Sequence, residues 1–162
     1  MKLPPFQALL DEHRVDVYRY CVATAGRSEA DDCFQETWIA ALRAYPKLRR
    51  ADNLRAWLLR IAHNKAMDLH RSRGRRAVPV EAVPEPAAGG APAPGEGPLP
   101  DEEPELWEAV RCLPPKQRTA VFCRTVLGMS YEELARLLES SEDAARRNVF
   151  EGLRTLREGW TP

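Results

Sequence analysis

Apolar residues recur at helical intervals from near the start of the chain. Phe6, Leu9, Leu10, Val17, Cys21 and Val22 lead up to Ala25-Gly26, where glycine permits a helix to stop. Ser28 then stands three residues before Asp31, a start signal of the capping-box kind, and predicts a second helix. Its apolar and aromatic face is Phe34, Trp38, Ala41, Leu42 and Tyr45, and Pro46 ends it. Asp31, Asp32, Gln35, Glu36 and Arg43 fall largely on the other faces, which read as solvated surface. A short basic loop, Lys47 to Arg50, precedes Asp52-Asn53, a pair able to cap a third helix with Leu54, Trp57, Leu58, Ile61, Ala62 and Leu69 towards the core. Trp57 is expected to pack in that core. The helix ends by dissolving into Arg71-Ser-Arg73-Gly-Arg75-Arg76, a cationic run that suits a polyphosphate backbone or a solvated helix terminus.

The end of the chain has a shorter rhythm. Leu106, Trp107, Val110 and Leu113 predict a short amphipathic helix over 105–113, stopped by Pro114-Pro115. A second helix carries Ala120, Val121, Val126 and Leu127 and closes at Gly128. Ser130-Tyr-Glu-Glu133 is a capping box that opens a third helix with Leu134, Leu137 and Leu138, and Ser140 to Asp143 mark a stop and restart. Two short helices joined by a tight turn, the second rich in arginine, are the pattern of a helix-turn-helix. Most such turns carry glycine where this chain has Glu139, and a glutamate at positive φ costs about 1 kcal/mol, which predicts an irregular turn.

Between these stretches, residues 77–104 hold eight of the fourteen prolines, four of the nine glycines and no aromatic residue. Such a segment cannot bury a core and reads as a flexible linker. Charge divides the chain at the same places. Residues 1–76 carry 15 basic and 9 acidic side chains, 77–104 none and 6, and 105–162 nine of each, so the formal net charge of zero hides a basic start and an acidic middle. The expected architecture is all-α: a helical domain over 1–76, an acidic Pro/Gly/Ala linker over 77–104 and a second small helical domain over 105–162.

Composition and motifs exclude several functions. No apolar run approaches the roughly 20 residues of a membrane span, and the first residues lack a secretion signal's apolar stretch, so a cytoplasmic protein is expected. Cys21, Cys33, Cys112 and Cys123 form no C-x-x-C pair and have no histidine at ligand spacing, so reduced thiols and no metal are expected. A glycine-rich phosphate loop and a nucleophile–base signature are both missing, and His63 and His70 sit about 10 Å apart along one helix, too far to share a metal. The expectation is therefore not an enzyme, and no cofactor.

Four blocks, in order, resemble the extracytoplasmic-function (ECF) sigma factors of bacterial RNA polymerase. Ala30-Asp31-Asp32-Cys33-Phe34-Gln35-Glu36-Thr37-Trp38 is similar to that family's A-E-D-L-x-Q-E-x-F, and the run from Arg55 to Asp68 to its R-x-W-L-x-x-I-A-x-N-x-x-x-D. Leu113 to Arg118 resembles L-P-x-x-x-R, and Gly128 to Ala135 resembles G-x-S-Y-x-E-I-A. The resemblance implies that the first domain is sigma region 2, a three-helix bundle, and the last is region 4, with the linker between them. It implies a transcription initiation factor that binds core RNA polymerase, recognises promoter DNA and melts it. The alternative is a stand-alone helix-turn-helix regulator acting without polymerase.

The resemblance also distributes roles. Asp31, Asp32, Gln35 and Glu36 would dock on the β′ clamp helices, with the β flap as a further polymerase contact. Arg49, Arg50, Asn53, Arg55, Asn64, Lys65, Arg71, Arg73, Arg75 and Arg76 would bind the minus-ten element and its backbone. Ser141, Glu142, Arg146, Arg147, Phe150 and Arg154 would read the minus-thirty-five element. An anti-sigma factor is a candidate partner. The acidic linker would run through the polymerase cleft as a mimic of RNA, although a plain spacer has the same composition. Two departures from the family stand out: Asp143-Ala144-Ala145 replaces its usual Gly-Thr-Val, and Glu151 stands where a later arginine is frequent, a carboxylate expected to repel phosphates. Cys33 occupies a usually aliphatic position and reads as a buried small hydrophobe or a redox switch.

Overall fold

The computed structural model describes residues 2–50, 52–76 and 104–159; linker residues 77–103 lie outside them, and Pro104 opens a helix. Every element among the described residues is helical. In chain order they are α1 (Phe6–Ala25), α2 (Arg27–Ala44), a 3₁₀ turn (Tyr45–Lys47), α3 (Leu54–Arg76), α4 (Pro104–Cys112), α5 (Pro115–Thr125), α6 (Tyr131–Leu137) and α7 (Glu142–Gly159). No described helix is long and apolar enough to cross a membrane.

Helices α1, α2 and α3 pack on one another around Leu9, Val17, Tyr20, Cys21, Ala30, Cys33, Leu58, Leu59, Ala62 and Ala66, all at most 1% exposed. An aromatic seam closes one end of this bundle. Phe6 and Phe34 each meet Trp38 edge-on at 5.9 and 6.1 Å between centroids, and Tyr45 stacks obliquely on Trp57 at 6.2 Å. Trp57 is half-buried against this seam, as its place on the apolar stripe implies. Cys33 is fully buried with its Sγ directed at the Ala62 carbonyl, 3.9 Å away.

In the second half, α5 packs along α7, and α6 bridges them. The approach of α5 to α7 is close at Gly152, where a Cβ would come within 2.5 Å of the Val121 side chain. The two halves do not stand apart. Helix α1 packs on α4 and α5, α3 packs on α6, and one contiguous core runs through both halves, with Tyr20 against Phe122 at 6.2 Å.

Four local expectations are corrected. Ser28 does not cap α2: the helix begins one residue after Gly26, whose φ of 82° makes a one-residue joint with α1, and no side chain caps it. Ser28 lies within the first turn, and its hydroxyl faces Arg73 instead. Leu42 and Val126 are 55% and 45% exposed rather than core. The apolar set of α3 is wider than its period suggested, with Leu59 as buried as Leu58. Finally, the arginine run does not unwind, because α3 continues through Arg76.

Candidate docking and nucleic-acid interfaces

Helix α2 turns Ala30, Cys33, Thr37 and Ala41 into the bundle, which leaves Asp31, Asp32, Gln35 and Glu36 exposed on the opposite side. Burial, and then the neighbouring Asp31 carboxylate, hold the Tyr18 hydroxyl above its ordinary pKa, which places Asp31 beside α1. The polar quartet runs on into two exposed apolar residues, Ile39 (44%) and Leu42 (55%), spaced to continue the same stripe. Sequence reasoning missed both. Ile39 had no periodic partner to mark it, and Leu42 falls at an interval that suits either face.

The predicted minus-ten set divides. Arg49 and Arg50 are exposed in the segment after the 3₁₀ turn, and Asn64 is exposed on α3 with Lys65 half-buried beside it. Asn53 caps α3 as expected, its Oδ1 accepting from the Ala56 amide at 2.9 Å. Its Nδ2 donates to Glu133 Oε1 of α6 at 2.5 Å. Arg55 is held on both sides: its Nε lies 3.0 Å from Asp16 Oδ2, and its Nη2 donates to the Leu127 carbonyl. Arg71 lies 3.7 Å from Asp68, and Arg73 pairs with Glu29 at 2.6 Å. The side chains of Arg75 and Arg76 lie outside the described ones. Two members of the set, Asn53 and Arg55, are therefore bonded to the second half.

The helix-turn-helix is built by local chemistry. Ser130 Oγ accepts from the Glu133 amide at 3.1 Å while Glu133 Oε2 accepts from the Ser130 amide at 2.8 Å, the reciprocal pair expected of a capping box. That amide chiefly, then the Asn53 amide group, keeps the Glu133 carboxyl below its usual pKa. Helix α6 ends with Ser140 N donating to Ala135 O and Glu139 N to Arg136 O, a Schellman pair. The pair requires a left-handed residue, and Glu139 takes it with φ 51°. Glu139 Oε1 also accepts from Arg60 of α3 at 3.3 Å.

Ser141 caps α7, its hydroxyl accepting from the Ala144 amide at 3.1 Å. Beyond it, Arg147, Phe150 and Arg154 lie on an exposed face, Phe150 at 67%. Glu142 and Asp143 lie 3.7 and 3.5 Å from Arg146, whose guanidinium rests 5.0 Å from the centroid of the Tyr131 ring. The expectation for Glu151 is corrected, because its carboxylate turns towards α5 and accepts from Gln117 at 3.3 Å rather than standing among the exposed arginines.

Comparison with known proteins supplies the context for these faces. Residues 9–76 match the family model of sigma-70 region 2, and residues 104–156 match that of sigma-70 region 4. The chain is 35% identical over 157 residues to the ECF RNA polymerase sigma factor SigD of Mycobacterium tuberculosis, covering 93% of this chain and 74% of that protein. It is 33% identical over 129 residues to the RNA polymerase sigma factor CarQ of Myxococcus xanthus, covering 80% and 73%. Among solved structures, the sigma factor RpoE in complex with the anti-sigma factor NepR, from Bartonella quintana, shares the fold with a TM-score of 0.78 at 23% identity, over 96% of each chain. CnrH, solved with the cytosolic domain of CnrY, does so with a TM-score of 0.69 at 23% identity, over 94% and 85%.

Proposed function

Because the chain belongs to the ECF sigma factors, with sigma-70 regions 2 and 4 both matched, we propose that it binds core RNA polymerase, directs it to promoters and opens the DNA there. The observation that carries this reading is the exposed stripe on α2. Three carboxylates and a glutamine stand clear of the bundle, and the exposed Ile39 and Leu42 extend them, so a basic partner helix finds both charge and apolar area on one rigid helix. A regulator working without polymerase has no use for such a stripe.

In this reading Asp31, Asp32, Gln35 and Glu36 meet the β′ clamp helices, while region 4 contacts the β flap. Arg49, Arg50 and Asn53 hold an extruded base of the minus-ten element, and Arg55, Asn64, Lys65, Arg71, Arg73, Arg75 and Arg76 hold its backbone. Base extrusion costs a few kcal/mol, which a pocket must return by stacking and edge bonds. The exposed face of α7 enters the major groove at the minus-thirty-five element through Arg147, Phe150 and Arg154, with Ser141 fixing the helix start and Arg146 braced by Glu142. Asn53 and Arg55 reach DNA after their bonds to Glu133 and to the Leu127 carbonyl break, so promoter binding separates the halves along the α3–α6 contact. An anti-sigma factor is a fitting regulator, since the RpoE and CnrH structures were each solved with a protein partner.

The test is co-elution of the full chain with bacterial core RNA polymerase on size exclusion. The wild type is expected to bind, and the Asp31→Arg/Asp32→Arg variant to lose binding at least tenfold with its helicity intact. Failure of the wild type to bind core, together with salt-sensitive DNA binding by the chain alone, would overturn the reading in favour of a polymerase-independent regulator.

A further inference from the structure

On the side of the molecule away from the α3–α6 contact, the two halves enclose a polar cleft of about 360 Å³. Its floor is the α1–α2 joint, from Thr24 to Ser28. One wall is the end of α3, with His70 and Arg73, and the other is α4 and α5, with Glu108, Arg111 and Arg118. Together with Arg27 on the floor, itself already engaged in a polar contact, arginines from four helices line one recess, and Glu108 is the carboxylate among its described lining residues.

The arginines are held in place without being neutralised to the same degree. Arg73 pairs with Glu29, whose side chain is half-buried, and Arg111 with Glu108 in an exposed pair that water weakens. Arg118 differs. Its Nη1 donates to Thr24 O at 3.0 Å and its Nη2 to Arg111 O and Leu113 O at 2.6 and 3.1 Å, so carbonyls orient the guanidinium and leave its charge in place. Burial chiefly lowers the Arg118 pKa, with Cys112 opposing the shift and the Arg111 charge adding to it. His70 Nε2 bonds Thr24 O at 2.8 Å; the carbonyl only accepts, so that nitrogen carries the proton. The floor adds the amide end of α2. Gly26 supplies no capping side chain, and a Cβ there would come 4.0 Å from Arg111 Nη1, so that guanidinium hangs over the positive end of an 18-residue helix.

We infer that this cleft binds the diphosphate group of a small soluble molecule, with contacts to both halves of the protein. Planar guanidinium groups and a helix amide end are the donors that phosphate oxygens select. The volume is larger than one phosphate needs and lies at the low end of small-molecule sites, roughly 300–1,000 Å³. The cleft shares Arg73 with the proposed minus-ten set and lies between the halves that promoter binding would part, but it forms without DNA or polymerase, so titration of the free chain tests it apart from that reading.

Isothermal titration of the full chain with sodium pyrophosphate, at ionic strength matched with sodium chloride, tests it. Expected are a 1:1 complex and a loss of affinity of at least tenfold in Arg27→Gln/Arg111→Gln, with the single variant Arg111→Gln intermediate and both checked by circular dichroism. An Arg136→Gln/Arg157→Gln variant, altered at exposed arginines that do not line the cleft, is expected to bind pyrophosphate within twofold of the wild type. GDP binding as tightly as pyrophosphate assigns a nucleotide source, and GDP binding at least tenfold more weakly assigns the inorganic ion. No heat beyond the chloride control, unchanged binding by a folded Arg27→Gln/Arg111→Gln variant, or an equal loss in the Arg136→Gln/Arg157→Gln variant would overturn the inference.

Discussion

The two halves reach the same helical content by different means. Helices α1, α2 and α3 have 20, 18 and 23 residues, and the first two begin without any side-chain cap. Such helices are stabilised by burying a long face, so the bundle core carries them. Helix α6 has seven residues, too few to be stable by propensity, and it is specified by the Ser130–Glu133 box at one end and the Glu139 turn at the other. The difference shows what sets each interface. The α2 stripe is rigid because its buried side is packed, whereas α7 is seated by its packing on α5 and joined to α6 by a turn held by a few local hydrogen bonds.

That contrast predicts a graded response to substitution. Leu58→Ala empties a fully buried position in the three-helix bundle and is expected to cost about 2–5 kcal/mol. In urea denaturation the second half is expected to unfold in the same transition, since the core is contiguous across the Tyr20–Phe122 contact. Separate transitions would show that the halves are stabilised independently, and would sharpen the contrast between them. Ser130→Ala removes one arm of the capping box, with an expected loss of about 1 kcal/mol. Because the damage is local, DNA binding through α7 should fall while co-elution with core polymerase persists; equal loss of both would break the comparison. The smallest effect is a gain. Glu139→Gly relieves a left-handed residue and forfeits only an exposed pair with Arg60, so a rise of up to about 1 kcal/mol in urea stability is expected. A fall in stability would mean that the Arg60 bond outweighs the backbone strain.

Much of this was readable along the chain. The periods of α1 and α3 locate their core faces, Asn53 and Ser130 announce two helix starts, and Glu139 in a position that wants glycine announces a strained turn. The misreadings share a cause. Period tells which side of a helix is apolar, and not how many neighbours cover it. Helix α3 is flanked by α1, α2 and α6, so Leu58 and Leu59 are both buried, whereas α2 is covered on one side and leaves Ile39 and Leu42 to solvent. Ser28 carried a good capping signature, but the one-residue joint at Gly26 placed it inside the helix.

Order and spacing along the chain were enough to establish an all-helical protein with sigma-70 regions 2 and 4, because helical period, caps and family motifs are local and survive without knowledge of the partner surfaces. The seating of one half on the other was beyond their reach. Asn53 bonds to Glu133 across 80 residues, Arg118 to Thr24 across 94, and four arginines meet at one cleft. Such pairings arise only when helix faces are matched in space, so packing of the contiguous core, and no local signal, brought these residues together.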